Sequence, residues 1–110
     1  MPNVKIYVDE TVFPSLKPEI GKLLPALRSV LCDDLAVDIS ACQLAVMPVL
    51  GLSDQPLINA ELAILPRPER TQSVVRSVAE RVRKMLEEIS GQRVAVRVSA
   101  LDPVTYFALK

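Results

Sequence analysis

Apolar and polar positions alternate from Asn3 to Asp9, with Val4, Ile6 and Val8 on one side and Lys5, Tyr7 and Asp9 on the other. This period of two predicts a strand with one buried face. A proline-containing connection, Phe13-Pro14-Ser15, follows it. From Pro18 the period lengthens, and Ile20, Leu23, Leu24, Leu27, Val30 and Leu31 fall on one face of a helix. Pro18 suits the first turn, where its missing N–H costs nothing. Pro25 either kinks this helix or marks a later start of its regular part. Asp33 and Asp34 are expected at or beyond its end.

Cys42 to Leu52 reads as a second strand, whose far half Pro48 demotes to an edge, a bulge or an irregular extension. Gly51, Ser53, Asp54, Gln55 and Pro56 make a turn, Asn59 to Leu65 a third strand, and Pro66 to Arg70 a stiff basic loop. Thr71 is placed to cap a second helix. Val74, Val75, Val78, Val82, Met85, Leu86 and Ile89 form its apolar stripe, and Gly91 ends it. Arg93 to Ala100 alternates again as a fourth strand. Tyr106, Phe107 and Leu109 in the tail could add a short strand or dock on a neighbour.

The order is strand–helix–strand, twice. Helical crossovers of this length suit parallel pairs within each half. The expected fold is an α/β two-layer sandwich of two β-α-β units in one domain over residues 1–110, with four main strands and two helices on one face. The other sheet face carries Ala95, Arg97 and Ser99, small and polar groups that suit a subunit interface.

Composition narrows the chemistry. Half of the 110 residues are apolar, with only two Phe, two Tyr and no Trp, so the core must be aliphatic. A domain this small buries only about two-thirds of its unfolded surface, which points to some of that apolar content lying between subunits. Thirteen basic and thirteen acidic residues balance to a net charge of zero, with no basic block. This argues against nucleic acid as a partner. No apolar run reaches the roughly 18 residues that span a bilayer, and no secretory signal is visible. A cytoplasmic protein without membrane contact is expected. There is no histidine, so the commonest general base and metal ligand are both missing. Cys32 and Cys42 are too far apart for a Cys-x-x-Cys motif and are expected as free thiols. Neither a metal site nor a cofactor is expected. Chemistry is left to carboxylates, Arg, Lys, Tyr, Cys or the chain terminus.

The opening Met1-Pro2-Asn3-Val4-Lys5-Ile6, the doubled β-α-β plan and the stretch Ile64-Leu-Pro-Arg-Pro-Glu-Arg-Thr71 running into a helix together resemble the tautomerase superfamily. That family includes 4-oxalocrotonate tautomerase, 5-carboxymethyl-2-hydroxymuconate isomerase and macrophage migration inhibitory factor. The resemblance implies a homotrimer of doubled subunits and an N-terminal proline acting as catalytic base. Methionine aminopeptidase removes Met before a small residue such as Pro, which would leave Pro2 as a secondary amine at the start of a strand. An α-amino group titrates near pH 8. Burial and nearby cations lower an amine's pKa, so the neutral form can move a proton between carbon positions next to a carbonyl.

The resemblance also supplies substrate-binding candidates for a small carboxylate. Arg70 immediately precedes the helix cap Thr71, where a guanidinium can grip a carboxylate in bidentate fashion. Arg67 is near enough to share that role. Arg97 sits on the last strand's non-helical face, and Ile64 is placed to wall the pocket. Tyr7, Lys5 and Tyr106 could also approach it. The chain departs from the inhibitory-factor pattern at Ala95, where that branch has a tyrosine, and in lacking a lysine near the first helix's end. The expected activity is therefore that of an isomerase of the carboxymethyl-hydroxymuconate kind, or of a relative acting on an unsaturated or 2-oxo acid. The alternatives are a non-catalytic trimeric binding or structural protein of the same fold, and an unrelated ferredoxin-like interaction domain.

Overall fold

A computed structural model describes residues 2–110 of the chain. Four strands, β1 (Asn3–Asp9), β2 (Gln43–Val49), β3 (Ile58–Ile64) and β4 (Val94–Ala100), form one sheet in the order β2-β1-β3-β4. Helix α1 (Phe13–Leu35) connects β1 to β2, and α2 (Gln72–Ser90) connects β3 to β4. The two β-α-β pairs are parallel, as their long crossovers require, and β1 and β3 join them antiparallel at the centre.

The register follows from the alternation. Val4, Ile6 and Val8 of β1 and Ile58, Ala60, Leu62 and Ile64 of β3 are buried. They share one core with Ile20, Leu27, Leu31 and Leu35 of α1 and Val78, Val82 and Leu86 of α2. The intervening positions turn to the uncovered face. There Lys5 lies opposite Glu61, and Glu61 opposite Arg97, a charge-alternating row across three strands. Asp34 of α1 and Arg81 of α2 clasp the helices together through two hydrogen bonds of 2.8 and 3.1 Å.

Helix α1 starts five residues before Pro18 and runs through Pro18, Pro25, Asp33 and Asp34. Pro14 fills the early position expected of Pro18. Pro18 and Pro25 are both exposed, so the carbonyls of Pro14 and Gly21 that lose an amide partner can turn to water. The expected stop was misplaced because α1 keeps its apolar stripe past those prolines and buries Leu31, Cys32 and Leu35. Its end is closed by Ala36 in the left-handed region, φ 54°, whose N–H donates to Asp33 O at 3.4 Å. A side chain there is strained. Ala36→Gly should therefore raise stability by up to about 1 kcal/mol, read as a higher urea midpoint with unchanged slope.

Helix α2 matches its sequence signals. Thr71 Oγ1 accepts from Val74 N at 3.3 Å, and Gly91 ends the helix at φ 67°. β2 ends at Val49, short of Leu52, and is an edge strand that tolerates Pro48. The tail forms no strand. Leu101 N donates to Ile64 O at 2.8 Å, and a turn over residues 103–105 follows, closed by Tyr106 N donating to Asp102 O at 2.9 Å.

Candidate active site at the N-terminal proline

Strand directions gather several chain segments at one end of the sheet. β1 and β2 start there, and β3 and β4 finish there, since Asn3 pairs with Gln43 and Ala63, and Ala63 with Ser99. Pro2, the loop before α2 and the start of the tail therefore meet around one point. Pro2 is fully buried, and its carbonyl accepts from Gln43 N at 3.1 Å. Beside it lies a cavity of about 180 Å³, lined among others by Asn3, Gln43, Tyr106, Leu109 and Lys110. Met1, whose removal would free the proline amine, lies outside the described residues.

The three arginines take different places, and none of them lines the Pro2 cavity. Arg70 is only 8% exposed. Its Nη1 donates to Leu65 O at 2.6 Å and its Nη2 to Leu35 O at 3.2 Å, which ties the loop to the last turn of α1. Its Nε is buried without a partner. Burial, reinforced by the charge of Arg67, pulls the Arg70 guanidinium below its ordinary value, against the opposing pull of Glu69. A cation at a helix C-terminus is favourably placed for the exposed carbonyls there. Arg67 is exposed, and its carbonyl accepts from Arg70 N at 3.0 Å. Arg97 is exposed on the uncovered face and donates from Nη1 to Asn59 Oδ1 at 2.6 Å. It lines a separate cleft of about 290 Å³ with Lys5, Glu61 and Ser99, and Asn3 borders both this cleft and the Pro2 cavity. Ile64 is 4% exposed and points into the core on the helical side of β3.

Tyr106 reaches the Pro2 cavity; Lys5 lines the neighbouring cleft, and Tyr7 lines neither. Sequence reasoning passed over Gln43 and Lys110. The apolar tail was the available signal, because a segment carrying Tyr106, Phe107 and Leu109 has reason to fold back. Both thiols are free and buried. Desolvation, with Cys32 alongside, pushes the Cys42 thiol up to about 11, so it stays protonated at neutral pH and is a poor nucleophile. Among the described residues no helix is long and apolar enough to cross a membrane.

No family model matches the chain, and no curated protein matches it in sequence. Solved structures do. A 5-carboxymethyl-2-hydroxymuconate isomerase from Deinococcus radiodurans R1 superposes at TM-score 0.76 and 15% identity, covering 98% of this chain and 88% of that one. A macrophage migration inhibitory factor-like protein from Entamoeba histolytica gives TM-score 0.71 and 14% identity over 97% of this chain and 94% of its own. A wild-type symmetric trimer of a fused 4-OT gives TM-score 0.74 and 10% identity, over 96% and 90%. Two other similar structures are of proteins or domains of unknown function. With its mixed sheet, doubled β-α-β plan and one-sided helical layer, this chain has the fold of the tautomerase superfamily.

Proposed function

We propose that this chain is a cofactor-independent isomerase in which Pro2, freed by removal of Met1, shuttles a proton on an unsaturated or 2-oxo carboxylic acid. The observation that carries the reading is the position of Pro2: buried at the head of a central strand, against a cavity with polar groups on its wall. A neutral secondary amine there takes a proton from the carbon next to a carbonyl, and the carbonyl oxygen gains the negative charge of an enolate. The resulting ammonium returns the proton to a different atom of the conjugated system, so the amine is regenerated and no redox partner is consumed. Polar donors around the cavity stabilise the enolate as it forms. Isomerases among the structurally similar proteins support the reading.

The chain acts as a homotrimer in this proposal and works in the cytoplasm. The uncovered sheet face, with its row of Lys5, Glu61 and Arg97, offers the surface that assembly would cover, and one similar structure is a trimer of a fused 4-OT. Light scattering should give a mass three times that of one chain; a monodisperse single-chain mass overturns the trimer. Intact mass of the protein from its native host is the first test of the mechanism. It should lack one methionine, and the same sample should interconvert the keto and enol forms of a simple 2-oxo acid. Retained Met1 would leave Pro2 as an amide with no basic nitrogen and end the proline mechanism. A demethionylated trimer without any such activity favours the binding or structural reading instead.

A further inference from the structure

Helix α1 and strand β2 are joined by a segment that folds back on itself, with a cysteine at each end. After Leu35 the chain leaves α1 through the left-handed Ala36, and Val37 N donates to Cys32 O at 3.0 Å. The Cys32 thiol donates to Asp38 O at 3.7 Å. Asp38 then caps a short turn, accepting from Ser40 N at 3.4 Å, and Cys42 N donates to Ile39 O at 3.3 Å. Both ends of the segment are thus tied to its middle. Cys32 and Cys42 are buried in the same apolar cluster, and the Cys32 thiol lies within hydrogen-bonding reach of Cys42. Neither thiol has a part in the proline mechanism. Cys42 also lines a solvent-open groove with Leu24, Pro25, Arg28 and Leu44, which gives a small reagent a way to the pair.

We propose that Cys32 and Cys42 are a dithiol pair that a small hydroperoxide converts reversibly to an internal disulfide, and that the bridge loosens the main-chain anchor of Pro2. Its effect on turnover rests on the proline reading given above; the bridge itself does not. One sulfur gives an electron pair to the peroxide, whose O–O bond breaks to leave a sulfenic acid and water or an alcohol. The second sulfur then displaces the hydroxyl, which leaves as water with that thiol's proton. Two electrons pass from the sulfurs to the peroxide, and a thiol reductant returns them. In a reducing compartment such a bridge is transient. Cys42 is a poor first nucleophile for the reason given above, so Cys32 is oxidised first and Cys42 closes the bridge. The S–S bond is about 2 Å long, shorter than any non-bonded contact between sulfurs, so closing it draws the two chain segments together. The Cys32 side is fixed, because Leu31 and Leu35 are buried and Leu35 O is held by Arg70. β2 is an outer strand, paired only with β1, so its start moves instead. The next residue, Gln43, makes the 3.1 Å bond to Pro2 O, and that bond is the one to lengthen.

Hydrogen peroxide is added to the folded, full-length protein, and intact mass under non-reducing conditions is followed with time. The expected product is a single chain lighter by two hydrogens, with a peptide map linking Cys32 to Cys42, and dithiothreitol should restore the original mass. Cys42→Ser should stop at the sulfenic acid, trapped by dimedone on Cys32; Cys32→Ser should take up no dimedone. In the bridged protein the Gln43 amide should exchange about tenfold faster than in the reduced protein, as a weakened hydrogen bond requires. Two retained thiols, sulfinic or sulfonic acid without a bridge, a disulfide between chains, or a bridge formed only in urea would each overturn the pair. A bridged protein with unchanged Gln43 exchange would overturn the link to Pro2. Turnover of a 2-oxo acid should fall about tenfold on oxidation, the scale of a displaced catalytic group. It should recover with dithiothreitol and stay unaffected by peroxide in Cys32→Ser. The two readings fail separately. A reduced enzyme without turnover ends the proline mechanism, and the mass and exchange readouts still decide the disulfide. Normal turnover that depends on Pro2, with no bridge, ends the disulfide and leaves the mechanism standing.

Discussion

Pro2→Ala should lower kcat/KM for keto–enol interconversion by about 100-fold or more, the scale of a general base removed from its transition state. The variant keeps a free α-amino group once Met1 is cleaved, so the loss reports geometry and basicity more than simple presence of nitrogen. The pyrrolidine ring of Pro2 is packed with its side chain fully buried and its carbonyl fixed by Gln43 N. Alanine leaves a rotating primary amine on a smaller, looser anchor. A second variant that blocks cleavage of Met1 should lose more, because an amide nitrogen has no lone pair free to accept a proton. Steady-state rates on a 2-oxo acid, with the mass of the assembly measured in parallel, decide the matter. A Pro2→Ala enzyme within twofold of wild type would remove proline from the mechanism.

Arg70→Met should destabilise the fold by about 3 kcal/mol, the largest stability change expected among the site candidates. Methionine preserves much of the aliphatic volume but leaves Leu65 O and Leu35 O without their donors. Each charged hydrogen bond of this kind is worth about 1.5–3 kcal/mol net, and the orphaned Nε offsets part of that because its burial without a partner is itself unfavourable. Equilibrium urea unfolding should show a lower midpoint with an unchanged slope. An unchanged midpoint together with a raised KM would instead return Arg70 to substrate binding. Arg70→Lys separates the effects further: it keeps the charge but offers one nitrogen in place of the two that Arg70 sends to separate carbonyls.

The two β-α-β units, the parallel pairing within each and the one-sided helical layer were legible because the apolar period switches cleanly between two and 3.6. β1 and α2 are the plainest cases. In β1, Val4, Ile6 and Val8 are all buried, and α2 carries both a capping Thr71 and a closing Gly91. The start of α1 was not legible, because prolines at positions 14, 18 and 25 read as boundaries while the structure leaves Pro18 and Pro25 on its solvent side. The candidate site was legible at Pro2, whose place follows from being next to a strand, and at Tyr106, whose apolar tail has reason to fold back. The partners of Arg70 were hidden, since Leu35 O is thirty-five residues away in sequence and a carbonyl leaves no signature in the side-chain pattern. Lys110 was hidden for a similar reason. Its nearness to Pro2 depends on the turn at Asp102, and the apolar residues of the tail give a reason to fold back without saying where the chain turns.

Pro48 gives the sheet a polarity of growth. β2 and β4 are the two outer strands, but they do not present equivalent rims. A strand added beyond β2 would meet a gap at Pro48, where no N–H exists to donate. The rim of β4, from Val94 to Ala100, contains no proline and can carry an unbroken ladder. If subunits extend one another's sheets, a contact through the β4 rim keeps its whole ladder, whereas one through the β2 rim loses the bond at Pro48. A single imino acid on an outer strand thereby restricts which assemblies the chain can build.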